Sequence, residues 1–195
     1  VTFTTDWTAD AARRDFTLNA LYCDAAGTLY DPLGGYDDLA RRRIRFIGDP
    51  HARIREDYLR ILRFFRLFAE YGVGEVDAAG YAASIAERGG LPLLSGERIR
   101  AELLRLLAAP RALSAVEAMR AAGILELLVG ARPTHRVLAR LIEIERHLAA
   151  PPDAVLRLAA LAVHESDDAA RRAAREAWAK NRRIDMATVG PTSGT

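Results

Sequence analysis

The sequence has 195 residues, half of them apolar, and a formal net charge of +2, which suits one domain or two small ones with a real core and excludes a polycation or an intrinsically disordered chain. No run approaches the roughly 18 uninterrupted apolar residues of a membrane span, and the first ten residues have neither the basic nor the apolar segment of a secretory leader, so the expected location is cytoplasmic. The single Cys23 rules out an internal disulfide, and with His51, His135, His147 and His164 scattered along the chain there is no cysteine-based zinc pattern. All 28 basic residues but Lys180 are arginine. Genome base composition is one explanation of that bias; the other is that arginine supplies planar forks for phosphate, carboxylate or base edges, which lysine cannot imitate.

In chain order, "VTFTT" alternates like a strand that arrives from elsewhere, and with Val1 in place of methionine it suggests a fragment. "RRDFTLNAL" (13–21) reads as a strand with one polar edge, Thr17 and Asn19 alternating against Phe16, Leu18 and Ala20. "TLNALYCD" and "GTLYDP" flank "DAAG" as a hairpin, and "RIRFIG" is a further short strand. From His51 onward the period becomes helical: one helix through "HARIREDYLRILRFFRLFAEYG" to Gly72, a second in "DAAGYAASIAERGG" that stops at the Gly89 to Pro92 punctuation. Ser95 and Glu97 cap a helix that Pro110 ends, and "RALSAVEAMRAAG" stops at Gly123. Three more helical stretches follow, "THRVLARLIEIERHL", "DAVLRLAALAVHE" and "DDAARRAAREAWAKNRR", then a small polar tail. The fold class is α+β: a small sheet remnant over residues 1–50, helices over 51–130 and 131–180, and a disordered tail over 181–195.

The chemistry concentrates in three stretches. Taken as one helix at about 100° per residue, Glu56 to Ala69 places Tyr58, Ile61, Leu62, Phe65, Phe68 and Ala69 on one face, and Asp57, Arg60, Arg63 and Arg66 in a slanted row on the other. The ordinary reading is an amphipathic helix with exposed pairs contributing about 0.2–0.5 kcal/mol each. The functional reading is that Asp57 and Arg60 set an acceptor beside a donor. That edge complements cytosine (N4 amino beside N3) and adenine (N6 amino beside N1), whereas guanine and uracil present the reverse order. The wrong base would leave a buried group unsatisfied, at a cost of roughly 1–3 kcal/mol. Arg63 and Arg66 would steady a triphosphate or an RNA backbone.

In the second stretch a solvated strand edge with a local Arg-Asp pair competes with a site in which Arg14 meets a phosphate and Asp15 or Asn19 meets ribose hydroxyls. In the third, "YDPLGGYDDL", Asp31 and Asp38 surround Gly34 and Gly35; most such segments are simply turns.

Occurring in this order, "RRDFTLNAL", "DPLGGYDDL" and "EDYLRILRFFR" resemble successive motifs of the bacterial class II tRNA nucleotidyltransferases, the CCA-adding enzymes and their poly(A) polymerase relatives. They resemble, respectively, the ribose-binding motif, the flexible-loop motif and the amino-acid template for the incoming base. "LSGERIRAELLRLLAAPRALSAVEAMRAAGIL" resembles the neck that follows, so the likeness covers residues 1 to about 130.

The resemblance implies a template-independent polymerase that adds C, C and A to the tRNA 3′ end from CTP and ATP with Mg²⁺. Arg14 would bind the nucleotide, Asp15 fix the sugar or orient Arg14, Asp57 and Arg60 select the base, and Arg63 and Arg66 contact the nucleotide or its phosphates; Asn19 completes the nucleotide-binding set. Arg13, Asp31, Gly34, Gly35, Asp38 and Glu56 would support them. Helices beyond would hold tRNA by backbone and shape.

The sequence departs from the family ahead of Arg13, where the phosphate-cradling Gly-Gly turn and the metal-binding Asp-x-Asp pair should stand; Asp6 and Asp10 have neither the spacing nor the context. No catalytic or metal-ligating residue is therefore assigned, and the isolated chain is expected to be inactive, since two-metal phosphoryl transfer needs those carboxylates. The family pattern also fades past about residue 165. A bacterial poly(A) polymerase, a non-catalytic RNA-binding module and a helical interaction domain are the alternatives, and the oligomeric state is open.

Overall fold

A computed structural model describes residues 6–129 and 135–162. The expected opening strand, the expected helix around Trp178 and the expected tail lie outside them.

The chain enters through α1 (Trp7–Ala12), whose first backbone amides, those of Thr8 and Ala9, donate to the Asp6 side chain. Arg13 to Leu21 is not the expected strand. Only Phe16 makes a bridge, to Phe46, and Thr17–Asn19 form a 3₁₀ turn. Burial does not alternate either: Asp15, Phe16 and Thr17 are buried one after another while Leu18 is only partly so, and the Asp15 side chain accepts the amide of its neighbour Phe16 at 3.1 Å.

The hairpin forms as expected, in shorter strands. Tyr22–Cys23 (β1) pairs antiparallel with Leu29–Tyr30 (β2), Tyr22 opposite Tyr30, and the Asp24 side chain accepts the amides of Ala26 and Thr28 inside the turn. "RIRFIG" contributes only the Phe46 bridge.

The Gly-Gly segment is a helix start rather than a loop. α2 (Gly35–Ala40) begins after Gly34 in the left-handed conformation (φ 68°), and Asp31 accepts the amides of Gly35 (2.7 Å) and Tyr36 (2.9 Å). A Cβ on Gly35 would lie 2.2 Å from the Thr17 carbonyl oxygen. These glycines are there so that α2 can lie against the 3₁₀ turn.

The long helix expected after His51 is two. α3 (Pro50–Glu56), capped by Asp49, ends where Asp57 turns extended (φ −157°, ψ 108°), and α4 (Leu59–Tyr71) starts with the Leu59 amide on the Asp57 side chain at 3.1 Å. An aspartate that bonds a backbone amide two residues ahead competes with the helix and restarts it.

α5 (Ala78–Glu87), a 3₁₀ segment (Arg88–Leu93), α6 (Gly96–Ala108), α7 (Ala112–Ala121), α8 (Leu125–Val129), α9 (His135–His147) and α10 (Ala154–Ala162) complete the described chain. The Ser95 cap and the Gly123 stop (φ 66°) stand where the sequence placed them. α8 was not anticipated, because five residues are too few to show a period. No described helix is long and apolar enough to cross a membrane.

α4 is the axis of the core. Ile61, Leu62, Phe64, Phe65, Leu67, Phe68 and Ala69 are all buried, most of its circumference. Ring contacts tie the N-terminal segment to it: Phe16 lies tilted against Phe46 at 4.7 Å between centroids, and Phe46 stacks on Phe64 at 5.5 Å. One continuous core then runs from Phe16 to Leu161, so the segment up to residue 50 is anchored on the helices rather than merely tethered to them.

Candidate functional site

Arg13, Arg14, Asp15, Asn19, Asp57, Arg60 and Arg63 line a single cavity of about 390 Å³. It lies where the end of α1 and the 3₁₀ turn face the break between α3 and α4. All but one of the seven nucleotide-binding candidates reach it, together with Arg13. Arg66 does not.

Each wall has its own support. Arg14 donates from Nη2 and Nε to Asp10 (3.0 and 3.2 Å) and from Nη1 to the Asn19 carbonyl (2.9 Å), and its guanidinium sits 5.1 Å from the centre of the Tyr22 ring. Asp10 also accepts from the Tyr22 hydroxyl (2.8 Å) and Arg13. The Tyr22 hydrogen bond first, then those from Arg14 and Arg13, hold the Asp10 carboxyl down at about 2, and Asp10 in turn raises Arg14. Asp15 is nearly buried; Oδ1 accepts from Asn19 (3.0 Å) and Oδ2 meets Arg63 at 2.6 Å. Arg63 Nε is the one buried side-chain polar atom without a hydrogen-bond partner among the described residues.

On the facing wall Asp57 and Arg60 do not pair with each other. Asp57 Oδ2 accepts from Arg98 at 2.8 Å, and Arg60 donates through Nη1 to Glu56 and to the Arg53 carbonyl (2.8 Å). The Arg60 hydrogen bond, then that of Arg53, lowers the Glu56 carboxyl. An edge closed on itself would have nothing left to offer. Here the acceptor and the donor are each held by a third group, and both line the cavity.

The row expected from one helix is thus divided by the Asp57 break. Arg66, 5% exposed, turns inward to Glu102 and Glu70, both at 2.7 Å. Burial disfavours its charge, and the two carboxylates outweigh that and raise it. Three residues of α4 separate it from Arg63, a step of roughly 60° around the axis, which carries it to the α6 interface. It is a core ion pair, not a nucleotide contact.

The other supporting residues are scaffold. Asp38 is fully buried and accepts from Thr17 Oγ1 (2.7 Å), Arg43 Nε (2.7 Å) and Arg45 Nε (2.8 Å). Burial pushes its carboxyl up, but these three bonds prevail and it lies below the usual range. Asp31, Gly34 and Gly35 build the start of α2, as above. Sequence reasoning missed Asp10, Tyr22 and Arg98. Asp10 was legible as the i,i+3 and i,i+4 partner of Arg13 and Arg14; Arg98, on α6, has no local signal.

Among the described residues no group of three or more His, Cys, Asp or Glu converges to hold a metal ion. The cavity's own carboxylates, Asp15 and Asp57, are held by Arg63 and Arg98. These residues do not fit a Mg²⁺ site.

Residues 1–45 match the poly A polymerase head domain, and residues 85–134 match the probable RNA and SrmB-binding site of polymerase A. The mitochondrial CCA tRNA nucleotidyltransferase 1 of Danio rerio is 46% identical over 109 residues, 55% of this chain and 25% of that protein. The CCA-adding enzyme of Bacillus stearothermophilus, solved in complex with CTP, superposes with a TM-score of 0.63 at 36% identity, over 66% of this chain and 32% of that one. In these two segments and in sequence the chain is similar to the CCA-adding enzymes and poly(A) polymerases. The Thermotoga maritima CCA-adding enzyme, complexed with tRNA, shares the fold across 97% of this chain and 54% of its own, with a TM-score of 0.67 and 20% identity. Against the zebrafish CCA-adding relative the chain spans about a quarter of the length.

Proposed function

We propose that the chain supplies the ribose- and base-recognition part of a tRNA nucleotidyltransferase that adds C, C and A to the tRNA 3′ end from CTP and ATP. The observation that supports this most directly is the convergence of two distant stretches on one cavity, with Asp57 and Arg60 on a shared wall and not spent on each other. In this reading Asp57 accepts the exocyclic amine and Arg60 donates to the ring nitrogen. Arg14 and Arg63 face the phosphates, and Asp15 and Asn19 the ribose. Residues 1–50 act as the end of a nucleotidyltransferase head, and the helices after them as neck and RNA-binding body. The Bacillus relative's complex with CTP and the Thermotoga relative's with tRNA support both ligand classes. Mg²⁺ is the metal of that activity, and its ligands are not among the described residues.

Isothermal titration with the four ribonucleoside triphosphates tests the reading. CTP and ATP bind in preference to GTP and UTP, by about 1–3 kcal/mol for each group the wrong base leaves unsatisfied, and Asp57→Ala or Arg60→Ala removes the preference. Equal, salt-sensitive binding of all four refutes it. A poly(A) polymerase is the second reading, because adenine satisfies the same edge and the matched head domain carries that description; retention of ATP alone would favour it.

A further inference from the structure

Arg53 is not among the residues that line the cavity, yet its side chain reaches the groups behind it. It lies on α3, in the turn before Asp57 breaks the helix, and only 17% of the side chain is exposed. Nη2 donates to the Ala12 carbonyl at the end of α1, immediately before Arg13 and Arg14. Nε donates to the Ile47 carbonyl (3.1 Å), and the Ile47 amide in turn donates to the Asp15 carbonyl (3.1 Å). Nη1 meets both oxygens of Glu56 (3.1 and 3.2 Å), the carboxylate to which Arg60 also donates. One guanidinium therefore grips the segment that carries Arg14 and Asp15 and, through Glu56, Arg60 as well. The planar fork of arginine points three nitrogens in fixed directions, whereas a lysine ammonium is a single point on a flexible stem.

Arg60 shows what the grip is for. Its bonds to Glu56 and to the Arg53 carbonyl both leave from Nη1, so Nε and Nη2 remain to meet a base. A guanidinium anchored at one nitrogen offers the other two in a fixed direction, with little further side-chain freedom to lose on binding. Glu56 can be that anchor only if it is itself held. Its side chain is 51% exposed, so packing does not hold it, and Arg53 does.

We propose that Arg53 is a positioning residue for base selection: it fixes Arg60 through Glu56 and sets that donor against the segment that carries Arg14 and Asp15. The proposal rests on reading Arg60 as the donor to the base. Arg53 itself touches no nucleotide.

The full chain is titrated with CTP and with UTP by calorimetry, and nitrogen-15 relaxation is recorded at Arg60 Nε without nucleotide. In the unmodified chain Arg60 Nε is as ordered as folded backbone, with an order parameter of about 0.85, and Arg53→Lys, which keeps the charge, lowers it below about 0.6. The preference for CTP over UTP falls about 3- to 10-fold, a fraction of what one unsatisfied group costs. Arg55→Ala, which removes the neighbouring α3 contact to Glu87 (2.6 Å), leaves both readouts unchanged. A purely structural arginine would lower the melting temperature and move neither. Where Arg53→Lys is unfolded at the assay temperature, Glu56→Gln at its half-exposed position carries the test, with the same two losses expected. An unchanged Arg60 order parameter overturns the proposal, and so does an intact preference for CTP. If the unmodified chain shows no preference at all, the base-selecting reading falls, and the relaxation result alone decides whether Arg53 positions Arg60.

Discussion

Asp57 and Arg98 meet at 2.8 Å across 41 residues of sequence. The pair joins the break between α3 and α4 to the first turn of α6, and it holds the Asp57 carboxylate in the cavity that Arg60 also lines. Both side chains are partly exposed, at 35% and 49%, so the pair contributes at most about 1 kcal/mol to stability. Its value lies in orientation. Arg98→Ala should leave the melting temperature almost unchanged while cutting the preference for CTP over UTP by about 3- to 10-fold, a fraction of what one unsatisfied group costs. Calorimetry with the two nucleotides checks this; an intact preference would show that Asp57 needs no support.

Arg66 makes the opposite prediction. It is buried against Glu102 and Glu70, so Arg66→Ala leaves an uncompensated carboxylate in the core and should destabilise the fold by about 3–5 kcal/mol. The urea midpoint should fall accordingly. Where the variant is still folded, its ranking of the four nucleotides should match that of the unmodified chain.

Gly90 packs under Tyr58, and a Cβ there would stand 2.2 Å from the ring. Gly90→Ala must displace that ring, which adjoins Asp57 in sequence. The expected cost is about 1–3 kcal/mol of overpacking, read by thermal denaturation, with a loss of CTP affinity that Leu93→Ala, at an exposed position of the same 3₁₀ segment, does not share.

Asp10 sets an acid limit on the Arg14 wall. Its carboxyl sits at about 2 in the folded protein against an ordinary 3.8, held down first by Tyr22 and then by the two arginines. Above the ordinary value it is ionised folded or unfolded, and its stabilising contribution is complete. That contribution is lost as pH falls through about 2, where the native carboxyl protonates. Carboxyl NMR titration should give a midpoint near 2, and Tyr22→Phe should move it toward the ordinary range.

Local chemistry was legible in the sequence. The Ser95 cap, the Gly123 stop and the Asp24 turn all stand as read, because each is local: Ser95 and Asp24 bond backbone amides within a few residues, and Gly123 takes the left-handed conformation that ends a helix. The same principle explains the main misreading. Asp57 also bonds backbone two residues ahead, and that breaks what hydrophobic periodicity presented as one helix. Residues 16–20 alternate polar and apolar in sequence like a strand, yet pair only at Phe16, since a strand needs a neighbour that sequence does not display.

The order of the three stretches determined the family, and residue chemistry determined which groups can face a base, a ribose or a phosphate. Only the folded chain decided which arginines are available for that work. Arg63 and Arg66 are equivalent as residues and three positions apart. One lines the cavity of the candidate site beside Asp15, and the other closes on Glu102 and Glu70. A charge buried without a partner is too costly to persist, so each guanidinium goes where tertiary packing has put a carboxylate. For Asp57 that partner is Arg98, which no window of sequence around Asp57 contains.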